Sequence, residues 1–274
     1  EALPDSPDMV VWSETAFVPN IRRWSTDDSN RVLHTVVGDF LAFQRDTGTW
    51  LVTGNDDYDV IRSPDGRELD RQNYNAAVLF SDQGQRVDTY RKIRLVPFTE
   101  SFPFEEELPR VHQLLQSFDV NLWEPGAEYT VFQHPRFRFT TPICFEDVFP
   151  QEVRRGVRQG VDVILNLSND YWSLTPVEGR QHFVAALFRA VETRRPLVRA
   201  TSSGLTGTVS PVGRIAHTLP YYEPAWVMAD VPLPNAEHHS PYLRFGDWFP
   251  LTCAIGILAL LLVSRLVGRG GEHA

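Results

Sequence analysis

Lysine is nearly missing from this chain. Of its 26 basic residues only Lys92 is not an arginine. Cysteine is scarce as well: Cys144 and Cys253 are the whole set, and the second lies in an apolar segment, which excludes a disulfide framework and a cysteine-based zinc site. Positive charge is in deficit. The formal net charge of −9 leaves no basic stripe for nucleic acid. Low-complexity linkers and internal repeats are missing too, and with 42% hydrophobic and 12% aromatic residues the chain is not disordered. At 274 residues it suits one large domain or two ordinary ones. It begins with Glu1 and no charged-then-apolar leader follows, so it reads as a processed product or a fragment.

A sequence that writes its positive charge as arginine has kept one ammonium. The two side chains differ most where a compact, titratable amine is needed, which makes Lys92 a candidate for chemistry. The clearest single segment lies at the other end. From Trp248 to Val267 the chain reads WFPLTCAIGILALLLVSRLV, with no charge before Arg265. About 20 apolar residues cross a bilayer core, so 248–267 is expected to be a transmembrane helix, 1–247 a single catalytic domain and 268–274 a tail. Asp247 precedes the span while Arg265 and Arg269 close it. The positive-inside rule then puts the C-terminus in the cytoplasm and 1–247 outside. The alternative is a buried core helix.

Apolar runs of strand length recur at Met9–Trp12, Thr49–Thr53, Ala76–Phe80, Phe139–Cys144, Val161–Leu167, Leu197–Thr201 and Trp226–Val231. Helical patterns fall between them. Asp27–Phe43 carries Val32, Val36, Phe40 and Phe43 as its apolar positions, Pro150–Gly160 is amphipathic, and His182–Thr193 aligns Phe183, Ala186, Leu187 and Ala190. Strands alternating with helices predict a layered α/β fold. The pair His238-His239 sits on a polar loop and reads as solvated, not as a metal site.

Three segments each carry one reactive side chain at the end of an apolar strand. Met9-Val10-Val11-Trp12-Ser13 runs into Glu14. Lys92 opens Lys92-Ile93-Arg94-Leu95-Val96-Pro97-Phe98-Thr99, which ends at Glu100. Thr140-Thr141-Pro142-Ile143 leads into Cys144, followed by the acidic turn Phe145-Glu146-Asp147. A thiol attacks well only as a thiolate, so it needs a base within reach and a donor for the oxyanion that forms. Glu14 suits the base if burial raises its pKa. Lys92 suits the donor, with the backbone N–H of Phe145 as a second. Taken singly, each has a bland reading: a helix cap, a surface charge, a small buried hydrophobe.

Glu, then Lys, then Cys, each ending a strand, resembles the carbon–nitrogen hydrolase (nitrilase) superfamily. Within it, Trp12-Ser13-Glu14-Thr15, Lys92 through Glu100, Ile143-Cys144-Phe145-Glu146, Ser168-Asn169-Asp170-Tyr171-Trp172, Gln181-His182-Phe183 and the Tyr242–Trp248 run into a last apolar span resemble the apolipoprotein N-acyltransferases. The resemblance implies a four-layer α-β-β-α nitrilase-like sandwich followed by one C-terminal transmembrane helix. It implies Glu14 as general base, Lys92 as oxyanion cation and Cys144 as nucleophile, supported by Glu100, Phe145 and Glu146. Asn169, Asp170 and Trp172 would lie beside the nucleophile. Many relatives carry tyrosine where this chain has Phe145, so ring packing is expected there without a hydroxyl. No cofactor or metal is implied. The implied partners are a phospholipid acyl donor, a diacylglyceryl apolipoprotein acceptor and a bacterial inner membrane, with the catalytic domain on its periplasmic side. Two departures stand out: the family's N-terminal membrane helices are not in this sequence, and neither is its opening strand, so a sheet edge is expected to lie open. A membrane-tethered amidase or nitrile hydrolase, and an inactive truncated binding partner, are the competing readings.

Overall fold

Successive side chains of a strand point to opposite faces, and that period of two decides the layering. The computed structural model of the chain describes residues 6–105, 107–111, 122–234 and 239–271, with side chains as far as residue 265. Strands β1 (Met9–Val11), β2 (Trp50–Arg62), β3 (Glu68–Phe80) and β4 (Arg86–Arg91) form one sheet in that order, with β1 at its edge, parallel to β2. Strands β5 (Phe132–Gln133), β6 (Arg138–Thr140), β7 (Val163–Ser168), β8 (Leu197–Thr201), β9 (Gly207–Val209) and β10 (Ile215–Thr218) form the second, ordered β10-β9-β8-β7-β6-β5. Only β6, β7 and β8 run parallel within it.

Val52, Ala77, Leu79 and Tyr90 of the first sheet meet Phe132, Phe139, Val163, Leu165 and Leu167 of the second. Their sequence neighbours point outward. Leu51, Val78 and Phe80 face the helix α2 (Arg31–Thr47), which follows a single turn α1 (Ile21–Trp24). Ile164 and Leu197 face the helices α3 (Pro150–Val157) and α4 (Pro176–Thr193). The result is the expected α-β-β-α sandwich. Each fully buried aliphatic or aromatic side chain is worth about 1.5–3 kcal/mol, so the inter-sheet layer fixes the strand ends that both sheets present on one side.

Helix starts follow from local chemistry. Asn30 caps α2 by accepting from Leu33 N at 3.2 Å. Thr175 caps α4, with Pro176 at its first position. This cap sets the start of α4 six residues before His182, where the sequence pattern placed it. The apolar stripe expected on α2 is not the buried one. Val32, Val36 and Phe43 are exposed, while Val37, Phe40 and Gln44 are buried. The aromatic cluster of Trp12, Phe17, Phe40 and Phe80 sets the helix rotation, and Gln44 goes inside because its amide donates to the Thr49 and Ser81 carbonyls. The run Trp226–Val231 is not a strand: Trp226 and Met228 are exposed and no strand among the described residues pairs with them. β6 stops at Thr140, so Cys144 does not end a strand. A lone bridge between Ile143 and Leu167 carries the strand direction up to it.

Ser240 caps the short helix α5 (Pro241–Phe245), whose Leu243 joins the core beneath α4. The helix α6 (Trp248–Gly271) follows. Its window Trp248–Arg265, 18 residues with mean hydropathy 1.8, has none of its residues buried. Within this chain, then, the window is not a buried core helix. At 1.5 Å per residue the window is about 27 Å long, near the thickness of a bilayer core. Of the two histidines read as solvated, His239 is exposed and His238 lies outside the described residues.

Candidate active site

Glu14 follows β1 by three residues, in a segment that continues alongside β2 by bonds from Trp12 N to Val52 O and from Gly54 N to Ser13 O. Gly54 is required there, because a Cβ would stand 2.5 Å from the Glu14 Cα. Lys92 follows β4 directly, held by its N–H on Asn75 O and by Gly126 N on its own carbonyl. Both side chains are buried, Lys92 to 1% exposure. The Lys92 Nζ lies 2.8 Å from Glu100 Oε1 and 3.5 Å from Glu14 Oε1. Asn75 ties the carboxylates together, donating to Glu14 at 2.7 Å and to Glu100 at 3.1 Å. The other oxygen of Glu100 accepts from Val96 N at 2.8 Å.

Cys144 opens a 3₁₀ turn, Cys144–Val148, with φ of 49°. A non-glycine residue there is strained, and such strain persists only where the surroundings over-determine it. The surroundings do so here. Glu146 Oε2 accepts from Ile143 N at 2.8 Å, Asn166 donates to Pro142 O at 2.9 Å, and the ring of Phe145 packs edge-on against Phe149 at 5.0 Å. Glu146 Oε1 accepts from the Tyr90 hydroxyl, Ile93 N and Arg94 N, so one carboxylate joins the lysine turn to the cysteine turn.

Charge couples the three reactive tips. Burial pushes the Cys144 thiol up to about 12 and the Glu14 anion pushes the same way, while the Lys92 ammonium and the Ser168 hydroxyl pull against them. Burial also raises the Glu14 carboxyl, opposed by Lys92 and Asn75. Lys92 loses by burial, but Glu14, Cys144 and Glu100 together raise it and keep it an ammonium. The resting site therefore holds a thiol and a cation beside a carboxyl group whose affinity for a proton is above normal. Such a set can move a proton from sulfur to carboxylate and stabilise an oxyanion formed on attack.

Asn169 reaches from the end of β7 to the Glu14 segment, donating to Thr15 Oγ1 at 3.1 Å. Trp172 is exposed on the surface turn Tyr171–Ser173. Asp170 turns inward, where it meets His182 Nδ1 at 3.0 Å, Arg199 at 3.2 Å and the Ser168 hydroxyl at 2.7 Å. Cys144, Asp170 and His182 offer ligand atoms within 4.8 Å of one another. Both ring nitrogens of His182 already face carboxylates, Asp170 and Asp147, and the buried Arg199 guanidinium stands 2.9 Å from Nδ1. A cation would have to enter beside that guanidinium, so the arrangement suits an ion-pair network better than a metal.

Asn75 is the site residue that sequence reading missed. Its only signal was an amide in a strand otherwise turning apolar, Asn75-Ala76-Ala77-Val78-Leu79-Phe80. Arg199, inside the apolar Leu197–Thr201 strand, is one of the residues that match the family, but the sequence assigns it no role.

A carbon–nitrogen hydrolase family model matches residues 2–238. A protein of Treponema denticola named apolipoprotein N-acyltransferase 1 is 36% identical over 98% of this chain and 52% of its own length. An apolipoprotein N-acyltransferase of Geobacter metallireducens is 32% identical over 94% of this chain and 46% of its own. The chain thus spans about half the length of the curated relatives it matches. Among solved structures, an amidase from Nesterenkonia sp. AN1, carrying acrylamide added at its active-site cysteine, superposes with a TM-score of 0.56 at 19% identity, covering 90% of this chain and 85% of that one. At that identity the likeness speaks for the fold alone.

Proposed function

The chain belongs to the carbon–nitrogen hydrolase family, and from that membership we propose that it is the catalytic part of an apolipoprotein N-acyltransferase. The donor is a membrane phospholipid and the acceptor is the α-amine of the diacylglyceryl-cysteine that begins a lipoprotein. Glu14 takes the proton of Cys144 as the sulfur attacks the ester carbonyl. Because the free thiol ionises only near 12, proton transfer and attack proceed together, and the raised affinity of Glu14 for a proton supports this. Lys92 and the Phe145 N–H hold the oxyanion. Its collapse breaks the C–O bond, and Glu14 returns the proton to the departing lysophospholipid. The thioester then meets the acceptor amine, which gives a proton to Glu14 as the C–N bond forms. The C–S bond breaks and the proton returns to the sulfur. Glu100 and Asn75 keep the ammonium and the base in place. No metal or organic cofactor takes part.

One observation favours acyl transfer over hydrolysis of small amides: α6 leaves the catalytic layers fully exposed and apolar. A bilayer is the solvent that covers such a helix, and it brings the site to a lipid surface. We assign the chain to a bacterial inner membrane, with the sandwich outside and the C-terminus in the cytoplasm, because Arg265 and Arg269 close the span. The test is a reaction with labelled phospholipid and a diacylglyceryl lipopeptide. Label arriving as an amide on the lipopeptide supports the proposal. Ammonia release from small amides without lipid turnover assigns the chain to the amidases instead.

A further inference from the structure

We infer that His182 is a positioning residue that aims the second oxyanion donor: by holding the Cys144 carbonyl on the helix side of the second sheet, it turns the Phe145 N–H toward Lys92. This rests on the acyl-transfer reading of the site.

The carbonyl of Cys144 and the N–H of Phe145 are opposite ends of one peptide unit. Among the described residues no peptide bond is cis, and in a planar trans unit the two groups point in opposite directions. Whatever fixes the carbonyl fixes the donor. The Nε2–H of His182 points at that carbonyl, 3.3 Å away. Asp147 Oδ1 is nearer, at 3.0 Å, but accepts no hydrogen bond, so it acts on the ring as a neighbouring charge. His182 belongs to α4, which covers the outer face of the second sheet. Glu14 and Lys92 come from the first sheet, across the inner face. Pulling the carbonyl outward therefore sends the N–H inward, to the side where the ammonium stands. Among the described residues no backbone carbonyl outside its own turn accepts a hydrogen bond from the Phe145 N–H.

The imidazole is itself over-determined. Its Nδ1 meets Asp170 at 3.0 Å and Glu178 at 3.9 Å, and Arg199, itself 2.9 Å from Nδ1, pairs with both Asp147 and Asp170. His182 is 7% exposed and Arg199 is fully buried. A ring held at both nitrogens cannot rotate away, so the strained αL turn at Cys144 keeps one peptide orientation.

The experiment compares two neutral amides in the full chain. His182→Gln reaches about as far as the imidazole Nε2, and His182→Asn is one methylene too short. Two rates are read: release of p-nitrophenol from p-nitrophenyl butyrate on acylation of Cys144, and alkylation of Cys144 by iodoacetamide. Acylation passes through an oxyanion, whereas alkylation does not. Misplacing one oxyanion donor costs about 10²-fold. We expect the Asn variant to lose about that much acylation, the Gln variant to stay within about tenfold of wild type, and alkylation to change little in either. Equal acylation by the two variants, or alkylation falling in parallel with acylation, overturns the inference. If the Asn variant does not fold, the Gln variant decides: retained acylation supports the role, and lost acylation with intact alkylation refutes it. Failure of the wild-type chain to acylate at all would instead strike the acyl-transfer reading.

Discussion

Glu146 offers the sharpest stability test. Its carboxylate is 3% exposed and accepts from four donors: the Tyr90 hydroxyl at 2.7 Å, Ile93 N at 2.8 Å, Arg94 N at 3.0 Å and Ile143 N at 2.8 Å. Two of these N–H groups directly follow Lys92, and another directly precedes Cys144. Burial pushes the carboxyl pKa up, and the donors pull it back toward the anion. In Glu146→Gln the amide oxygen can serve the three donors on one side, but its NH₂ then confronts the Ile143 N–H. One buried donor left unpaired costs about 1–3 kcal/mol. In Glu146→Ala all four are orphaned, and even partial relaxation leaves a loss of about 3–6 kcal/mol, a large share of the ~5–15 kcal/mol that holds a domain. Urea unfolding in detergent, followed by tryptophan fluorescence, reads both. The order wild type, Gln, Ala is expected, with Cys144 acylation falling in the same order as the two turns drift apart. An Ala variant within about 1 kcal/mol of wild type would refute the clamp, since a single orphaned group already costs that much.

Lys92→Arg is expected to lower acyl transfer by about 10²–10³-fold, measured as initial rate, because a forked guanidinium does not fit a buried cleft set to one ammonium between Glu14 and Glu100. Burial lowers the His182 imidazole, yet Asp147 and Asp170, opposed by Arg199, carry it up from 6.5 to about 9. Its pairing therefore stabilises the fold fully below pH 6.5 and is lost as pH rises through 9, by up to about 3 kcal/mol. His182→Gln should flatten that decline in denaturant titrations run across this range, with Glu178 and the Cys144 carbonyl as the remaining neighbours. Removing residues 248–274 should take the chain from the floating fraction to the bottom of a liposome flotation gradient. Persistent flotation would mean that another surface holds the lipid.

Glu14 was legible as the carboxylate after the apolar run Met9–Trp12, Lys92 as the one lysine and Cys144 as one of two cysteines, and the family resemblance joined the three. The strand-end reasoning did not hold for Lys92, which follows the charged strand Arg86–Arg91, or for Cys144, which lies beyond β6. A layered α/β fold was legible from apolar runs alternating with helical patterns. The four-layer arrangement came only from the family resemblance, because β7 and the end of β3 are apolar on both faces and do not themselves sort inner from outer. What the sequence hid is set by tertiary contact. The rotation of α2 depends on the Trp12–Phe17–Phe40 stack, and an amphipathic pattern with Val32, Val36 and Phe43 on another face misleads without it. Asn75 and Arg199 are polar because distant partners await them: Glu14 and Glu100 for one, Asp147, Asn166 and Asp170 for the other. Nothing local announces partners so far away in the chain. The same holds for the turn at Cys144, whose positive φ is stabilised by bonds from β7, from Glu146 and from α4.

The measurement that bears most directly on the account is the intact mass of the chain after brief exposure to phospholipid of one defined acyl chain. The account requires a mass gain equal to that acyl group, carried as a hydroxylamine-labile thioester on the Cys144 peptide, absent in Cys144→Ala and nearly absent in Glu14→Gln. An unmodified Cys144 alongside undiminished acyl transfer, or an adduct that forms equally without Glu14, would contradict it.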